Sequence, residues 1–307
     1  MVKTMMSLLK VAAPRLERTR SVADMVVSVA DMDSTHAEAR RMVERGEIVV
    51  NVGESGELAS GHLPITVIAA DYLSNALVRF GRPWITVPGK SLTATAVVPV
   101  PTRVADDELF NGWLAMIGEL AALDALEGEI DACGARPYDE DCGFKLKWPN
   151  DIYCHGLKIG GTVTEVMPSP SGGPASGAWR VVAFSFGANL LVPADHLPTP
   201  QATSLQMNVG PLPGIEELRD GVLSRFVESL RRRLETFADS PMVEAGRLRS
   251  EMRHVCWMMG REIEAQLIDG SAVRGVVVAL NDDASINVET PDGVTRALLA
   301  SEVGLLQ

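Results

Sequence analysis

The sequence predicts an α+β fold, a mixed β-sheet with packed helices and a small β unit behind it, and three observations carry that prediction. Apolar runs of strand length, bounded by turn residues, recur through the first part of the chain. Two long stretches, 110–126 and 215–237, place apolar residues at helical spacing. Beyond Gly260 the composition changes to short β runs separated by Asp269-Gly270, Asn281-Asp282-Asp283 and Asp292-Gly293, all turn-forming sequences. At 307 residues the chain exceeds one average domain. It divides into a leader over 1–21, a large domain over 22–259 and a small barrel of SH3-like size over 260–307.

In order, 1–21 mixes a short apolar run with basic residues and is broken by Lys10 and Pro14. It reads as a disordered leader or a short amphipathic helix. A strand follows at 25–30, then a helix over 35–45, with Ser34 or Thr35 as its cap, Glu38 behind it and Gly46 as its stop. Strands are expected at 65–70 and 91–98, with a glycine-poor loop over 71–84 between them. The helix at 110–126 carries Trp113, Met116, Ile117, Leu120, Leu123 and Leu126 on one stripe. Strands at 145–148, 158–166 and 181–186 come next, the last two separated by the Pro/Ser/Gly-rich loop 168–177. Helices at 215–237 and 242–256 precede the β runs 263–267, 273–280, 286–289 and 295–299.

The formal charge of −12 and the lack of any basic run argue against nucleic-acid binding. No span approaches the roughly twenty apolar residues of a membrane helix. Four cysteines, at 133, 142, 154 and 256, have no Cys-x-x-Cys spacing, and His62, His155, His196 and His254 form no metal set in the sequence. A reducing cytoplasm is the expected compartment.

The densest chemistry lies in 147–165. Pro149 favours extended geometry at Trp148, and Asn150-Asp151 then favours a turn. A polar connection over 153–156 leads back to Lys158 and the pair Gly160-Gly161. An acid, a lysine and two side-chain-free positions thus fall on adjacent strands, which suits a site for an activated carboxylate. No Gly-x-x-x-x-Gly-Lys loop exists in the chain, which disfavours a P-loop fold.

Lys147-Trp148-Pro149-Asn150-Asp151 followed by Lys-x-Gly-Gly-x-x-x-Glu resembles the signature of biotin protein ligases. The likeness extends in order from about 22 to 305. Ser34-Thr35 resembles that family's Asp-Ser-Thr-Asn segment; Arg79, Gly81, Arg82 and Trp84 fall on its Gly-Arg-Gly-Arg-x-Gly-Arg-x-Trp loop; and Gly187-Ala188-Asn189-Leu190 resembles its Gly-x-Asn-Leu strand end. The resemblance implies an ATP- and Mg2+-dependent enzyme that makes biotinyl-5'-AMP and transfers biotin to a lysine of a biotin carboxyl-carrier protein. It implies Lys158, Arg79 and Asp151 as catalytic residues. Biotin contacts would come from Ser34, Thr35, His36, Arg79, Trp84, Lys158, Gly160 and Gly161. ATP contacts would come from Arg79, Arg82, Trp84, Asn150, Lys158 and Asn189. Too few residues precede 25–30 for the DNA-binding domain of ligase-repressors, so the ligase-only type is expected, with a homodimer left open.

The chain departs from the family at the biotin loop. Leu73 and Leu77 replace a glutamine and an arginine that hydrogen-bond biotin, Ala76 and Val78 replace two glycines, His36 stands for an asparagine and Ser185 for a first glycine. Each buried partner left unpaired costs about 1–3 kcal/mol. A second reading follows from Leu73 and Leu77: a ligase-like binding or accessory protein, or a ligase for a more apolar acyl group.

Overall fold

A computed structural model describes residues 11–53, 57–140, 142–168 and 177–306. The Pro/Ser/Gly-rich loop falls almost wholly outside them, as do residues 1–10. Within the stretch expected as a leader, residues 11–16 are without regular structure and a helix begins at Glu17. Helix α1 (Glu17–Val22) is held by Asp220, whose carboxylate accepts from the backbone N–H groups of Arg18 and Thr19 at 2.8 Å each. Leu16 and Thr19 are buried beneath it.

Strand β1 (Met25–Met32) runs into α2 (Thr35–Glu44) and back through β2 (Thr66–Leu73), which pairs parallel with β1. Ser34 is the cap of α2, its Oγ accepting from the Ala37 N–H at 3.3 Å, and Gly46 ends the turn with φ +70°. Every other pairing in this sheet is antiparallel: β3 (Ser91–Pro101), β5 (Phe144–Lys147), β6 (Asp151–Cys154), β7 (Leu157–Val166) and β8 (Trp179–Asn189) complete seven strands in the order β1-β2-β3-β8-β7-β6-β5. The β6–β7 hairpin turns on His155 (φ 51°) and Gly156 (φ 74°), the double positive φ of a two-residue turn. A small pair, β4 (Arg136–Pro137) and β9 (Val209–Gly210), stands apart.

One face of the sheet carries α4 (Asn111–Ala132), α5 (Ile215–Asp239) and α6 (Pro241–Val255), with the short α3 (Thr102–Ala105) ahead of them. Helix α4 runs one and a half turns past the expected 126 because it is packed on two sides. Ala121, Ala122 and Ala125 are buried as well as the expected stripe, and buried Glu129 is paired with Arg18 and Arg225.

After Gly260 come β10 (Glu262–Leu267), β11 (Ala272–Leu280), β12 (Ile286–Glu289), β13 (Thr295–Leu298) and β14 (Val303–Leu306), five antiparallel strands in the order β13-β12-β11-β10-β14. The sheet is open, with no pairing between β13 and β14 among the described residues. Strand β14 has no alternating pattern and goes unread in the sequence; pairing with β10 makes it a strand. Two buried tryptophans dock this sheet: Trp113 donates to the Asp282 carbonyl at 2.7 Å and Trp148 to the Ala284 carbonyl at 3.0 Å. One core of buried side chains continues from the large sheet into β10–β14. Among the described residues no helix is long and apolar enough to cross a membrane.

Candidate active site

Strands β6 and β7 build the centre of the site. Asp151 faces Gly161 across the pair, and an irregularity between Ile152 and Tyr153 sets Tyr153 opposite Lys158, skipping Ile159. Regular alternation would send Lys158 to the face opposite Gly161; the bulge turns it back. Lys158 Nζ thereby reaches Asp151 Oδ1 at 2.5 Å. The ammonium also lies 5.8 Å from the Trp84 ring centre.

Around Lys158 a pocket is lined by Ser34, Thr35 and His36 at the start of α2, by Trp84, and by Asn150, Gly161, Ser185 and Gly187 on the sheet side. Two glycines keep it open. A Cβ on Gly161 would meet the Asn150 carbonyl oxygen at 2.6 Å, and one on Gly187 would meet the Trp84 indole at 2.7 Å. Trp84 therefore lies flat against Gly187, and its buried Nε1–H has no acceptor among the described residues. An orphaned donor in a pocket wall is a recognition point for a ligand oxygen. The remaining wall is apolar: Leu73, Ala76, Leu77 and Val78 line it, with Leu73 8% exposed and Leu77 53% exposed.

The structure does not bring every expected residue into this pocket. Gly160 faces the other way, where a Cβ would meet the Gly187 carbonyl at 2.5 Å, so it serves strand packing. Asn189 is buried and donates to the Thr203 carbonyl at 3.1 Å, which holds the loop after β8. Arg79 and Arg82 line neighbouring cavities. The Arg79 guanidinium donates to the backbone carbonyls of Ala300 and, at 3.0 Å, Val303. One cavity, of about 590 Å3, lies between the start of α4, Arg79 and residues 283–285 and 299–301. A smaller polar one is ringed by Arg79, Arg82, Lys147 and Asp151 against β14. Asn150 lines all three spaces and joins them.

Charge around the small cavity is unbalanced. Burial pushes Arg79 below its ordinary range, with Arg82 adding to the shift, and burial likewise lowers Lys147, which donates to the Leu306 carbonyl at 2.9 Å. Three cations against one carboxylate favour an anionic ligand. Beneath them Glu119 on α4 is fully buried, and neither of its oxygens has a partner among the described residues. Burial first, then Asp151, pushes its carboxyl well above the ordinary range, which favours the neutral acid.

Sequence reasoning left Lys147, Glu119, Thr95 and Glu165 without roles. Lys147 and Glu165 stand inside the quoted motif, so their signal was present; Glu119 has the helical spacing of a core position, which only its packing distinguishes. A further cluster was invisible at twelve residues' separation: Cys142 and Cys154 lie 3.3 Å apart at sulfur, with a His155 nitrogen nearby.

The model of the Biotin/lipoate A/B protein ligase family matches residues 78–175, which include Arg79, Trp84, the β6–β7 hairpin and Lys158. The biotin--[acetyl-CoA-carboxylase] ligase of Mycobacterium tuberculosis is 25% identical over 238 residues, 77% of this chain and 77% of that one. That of Paracoccus denitrificans is 27% identical over 229 residues, 73% and 84% of the two chains. The chain is thus similar to biotin protein ligases over these stretches. Its fold is that of the Aquifex aeolicus biotin protein ligase solved in complex with biotin and ATP, at a TM-score of 0.62 and 20% identity, covering 92% of this chain and 99% of that one. The Lys158 pocket and the cation-ringed cavity beside it are the features to be assigned roles.

Proposed function

We propose that this chain is an ATP-dependent biotin protein ligase: it joins the biotin carboxylate to AMP and passes the acyl group to a lysine of a biotin carboxyl-carrier domain. The observation that carries the reading is the Lys158–Asp151 pair, 2.5 Å long, at the mouth of a pocket kept open by Gly161 and Gly187. In the first step a carboxylate oxygen attacks the α-phosphorus and pyrophosphate leaves. Two anions must meet there, and charge builds on the phosphoryl oxygens. Lys158 supplies the cation between them, Asp151 holds its ammonium in place, and the orphaned Trp84 N–H donates to the bound adenylate.

Phosphates fit the small cavity of Arg79, Arg82 and Lys147, and Asn150, shared by all three spaces, links them to the acyl pocket. Mg2+ carried in with ATP would neutralise further phosphate charge. In the second step the carrier lysine, deprotonated with Asp151 as its acceptor, attacks the acyl carbon and AMP leaves. Gly160 and Asn189 act here only by holding strand and loop. In this reading the chain works in a reducing cytoplasm, as a monomer or homodimer, and the open sheet after Gly260 takes the place of the family's SH3-like barrel and closes the phosphate side through Arg79.

Leu73 and Leu77 support a second reading, in which the pocket binds a more apolar acyl group or no longer turns over. Mixing the protein with biotin, labelled ATP, Mg2+ and an apo-carrier separates the two. Biotin on the carrier together with pyrophosphate release establishes the ligase; a folded protein giving neither moves the case to the second reading.

A further inference from the structure

Cys142, Cys154 and His155 form a second cluster of reactive side chains, and none of them lines a cavity described above. The two sulfurs touch at 3.3 Å, and a His155 ring nitrogen lies within 4.8 Å of both. Strand pairing explains the meeting. Phe144 stands opposite Cys154 in the β5–β6 ladder, so Cys142, two positions ahead of Phe144, falls on the side that carries Phe144, Leu146, Ile152 and Cys154 into the core. His155 follows Cys154 directly and takes the first position of the two-residue turn.

Fit, charge and access favour a metal ion here over a bare thiol pair. Tetrahedral zinc, with Zn–S near 2.3 Å, sets two sulfurs about 3.8 Å apart, so these must part by about 0.5 Å, whereas a disulfide of about 2.05 Å requires them to close by about 1.2 Å. Two thiolates balance a dication, and a half-buried site then holds no net charge. Cys154 is buried, Cys142 half-buried and His155 exposed, which leaves a way in from solvent on the histidine side. His155 also sits at φ 51°, in a turn position that Asn, Asp or Gly fills more readily. Sulfur and imidazole donors suit Zn2+, while Mg2+ takes oxygen.

We propose that Cys142, Cys154 and His155 are the protein ligands of a zinc-class metal site, with water in the fourth position, that staples the start of β5 to the β6–β7 turn. The site stands whether or not the chain is a ligase. On binding, each thiol gives its proton to solvent. The joined ends enclose 143–153, with Lys147, Asn150 and Asp151 among them, so the ion braces the segment that carries these side chains.

The full chain, stripped with a chelator and kept reduced with a phosphine, is titrated with Co2+ and then with Zn2+. Equimolar Co2+ should give thiolate-to-cobalt charge transfer and the visible bands of tetrahedral coordination, and Zn2+ should displace it. Cys142→Ser and His155→Asn should each weaken Zn2+ binding by more than about 100-fold. Asparagine accepts a positive φ, so the turn survives in the second variant should the first fail to fold. Cys133→Ser and Cys256→Ser should bind as the wild type does. With free Zn2+ held about 100-fold above Kd, Tm of the wild type should rise by roughly 4 °C, and that of His155→Asn should stay where it is. A wild type with no tetrahedral cobalt spectrum overturns the site, as does Zn2+ affinity left unchanged by Cys142→Ser or by His155→Asn. So does glutathione disulfide, if it links Cys142 to Cys154 as fast with Zn2+ present as without it.

Discussion

The β6–β7 hairpin and the loop 74–84 both bring residues to the site, and they are held in opposite ways. The hairpin is held by its own chain. Its two-residue turn, its ladder and one bulge bring Lys158 against Asp151, and the neighbouring loop adds only the backbone bonds of Gln201 and Thr203 to Lys158 at 2.8 Å each. The loop is held by a distant part of the molecule: Arg79 donates to Ala300 and Val303, and Arg82 reaches the Gly304 carbonyl at 3.4 Å. Phe80 takes φ +58° in the middle of it, and Phe80 and Leu77 are exposed. One region places the charge that chemistry needs; the other covers it, and its cover depends on the C-terminal sheet.

Removing the fixed cation should have the largest effect. Lys158→Met should slow pyrophosphate exchange about 100- to 1,000-fold with the circular dichroism spectrum unchanged. Lys158→Arg should not restore the rate, because the guanidinium is longer than the 2.5 Å contact with Asp151 allows. A loss below about five-fold would place the chemistry elsewhere.

The floor and the loop come next. Gly187→Ala puts a methyl where the Trp84 indole lies, so the ring must leave the pocket wall, and KM for the acid should rise about ten-fold or more while kcat falls less. Arg79→Ala cuts the loop from β14. Amide exchange over 77–83 should quicken, with little change in the hairpin, and KM for ATP should rise several-fold. Equal quickening in both regions would erase the contrast between them.

The smallest effect concerns stability beneath the hairpin. Burial raises the Glu119 carboxyl well above its ordinary range in the folded protein, whereas in the unfolded chain it ionises around its ordinary value of 4.5. The unfolded state therefore binds fewer protons above that pH, and stability falls as pH rises from about 4.5 toward the raised value. Glu119→Leu removes both the unpaired oxygens and this slope. The variant should be more stable by roughly 1–2 kcal/mol, by a margin that widens from pH 5 to pH 8 in urea titrations. A margin constant with pH would mean that Glu119 is already ionised in the native state.

Much of this was legible in the chain. Ser34 caps its helix as read, the β6–β7 turn lies inside the polar stretch expected to hold it, and Lys158 and Asp151 meet. These are short-range features, set by capping, turn chemistry and pairing between neighbours. The bulge was not legible, since no residue between 151 and 158 marks it, and it decides which face Lys158 takes. Neither was β14, four residues with no alternation, nor the anchoring of Arg79 on it.

Sequence by itself determined the helices, most strands and the polar-and-glycine hairpin, because periodicity and turn residues act within a few positions of themselves. It also placed Lys158 and Asp151 on adjacent strands. Only the tertiary structure decided that Arg79 and Arg82 belong to a cavity next to the Lys158 pocket, that Gly160 and Asn189 serve packing, and that Glu165, His36, Ser185, Thr95 and Thr35 form one chain of hydrogen bonds. Those contacts join residues from 14 to 224 positions apart. Nothing local in a chain encodes them, and they exist only once the sheet order and the docking of the C-terminal strands have set the distances.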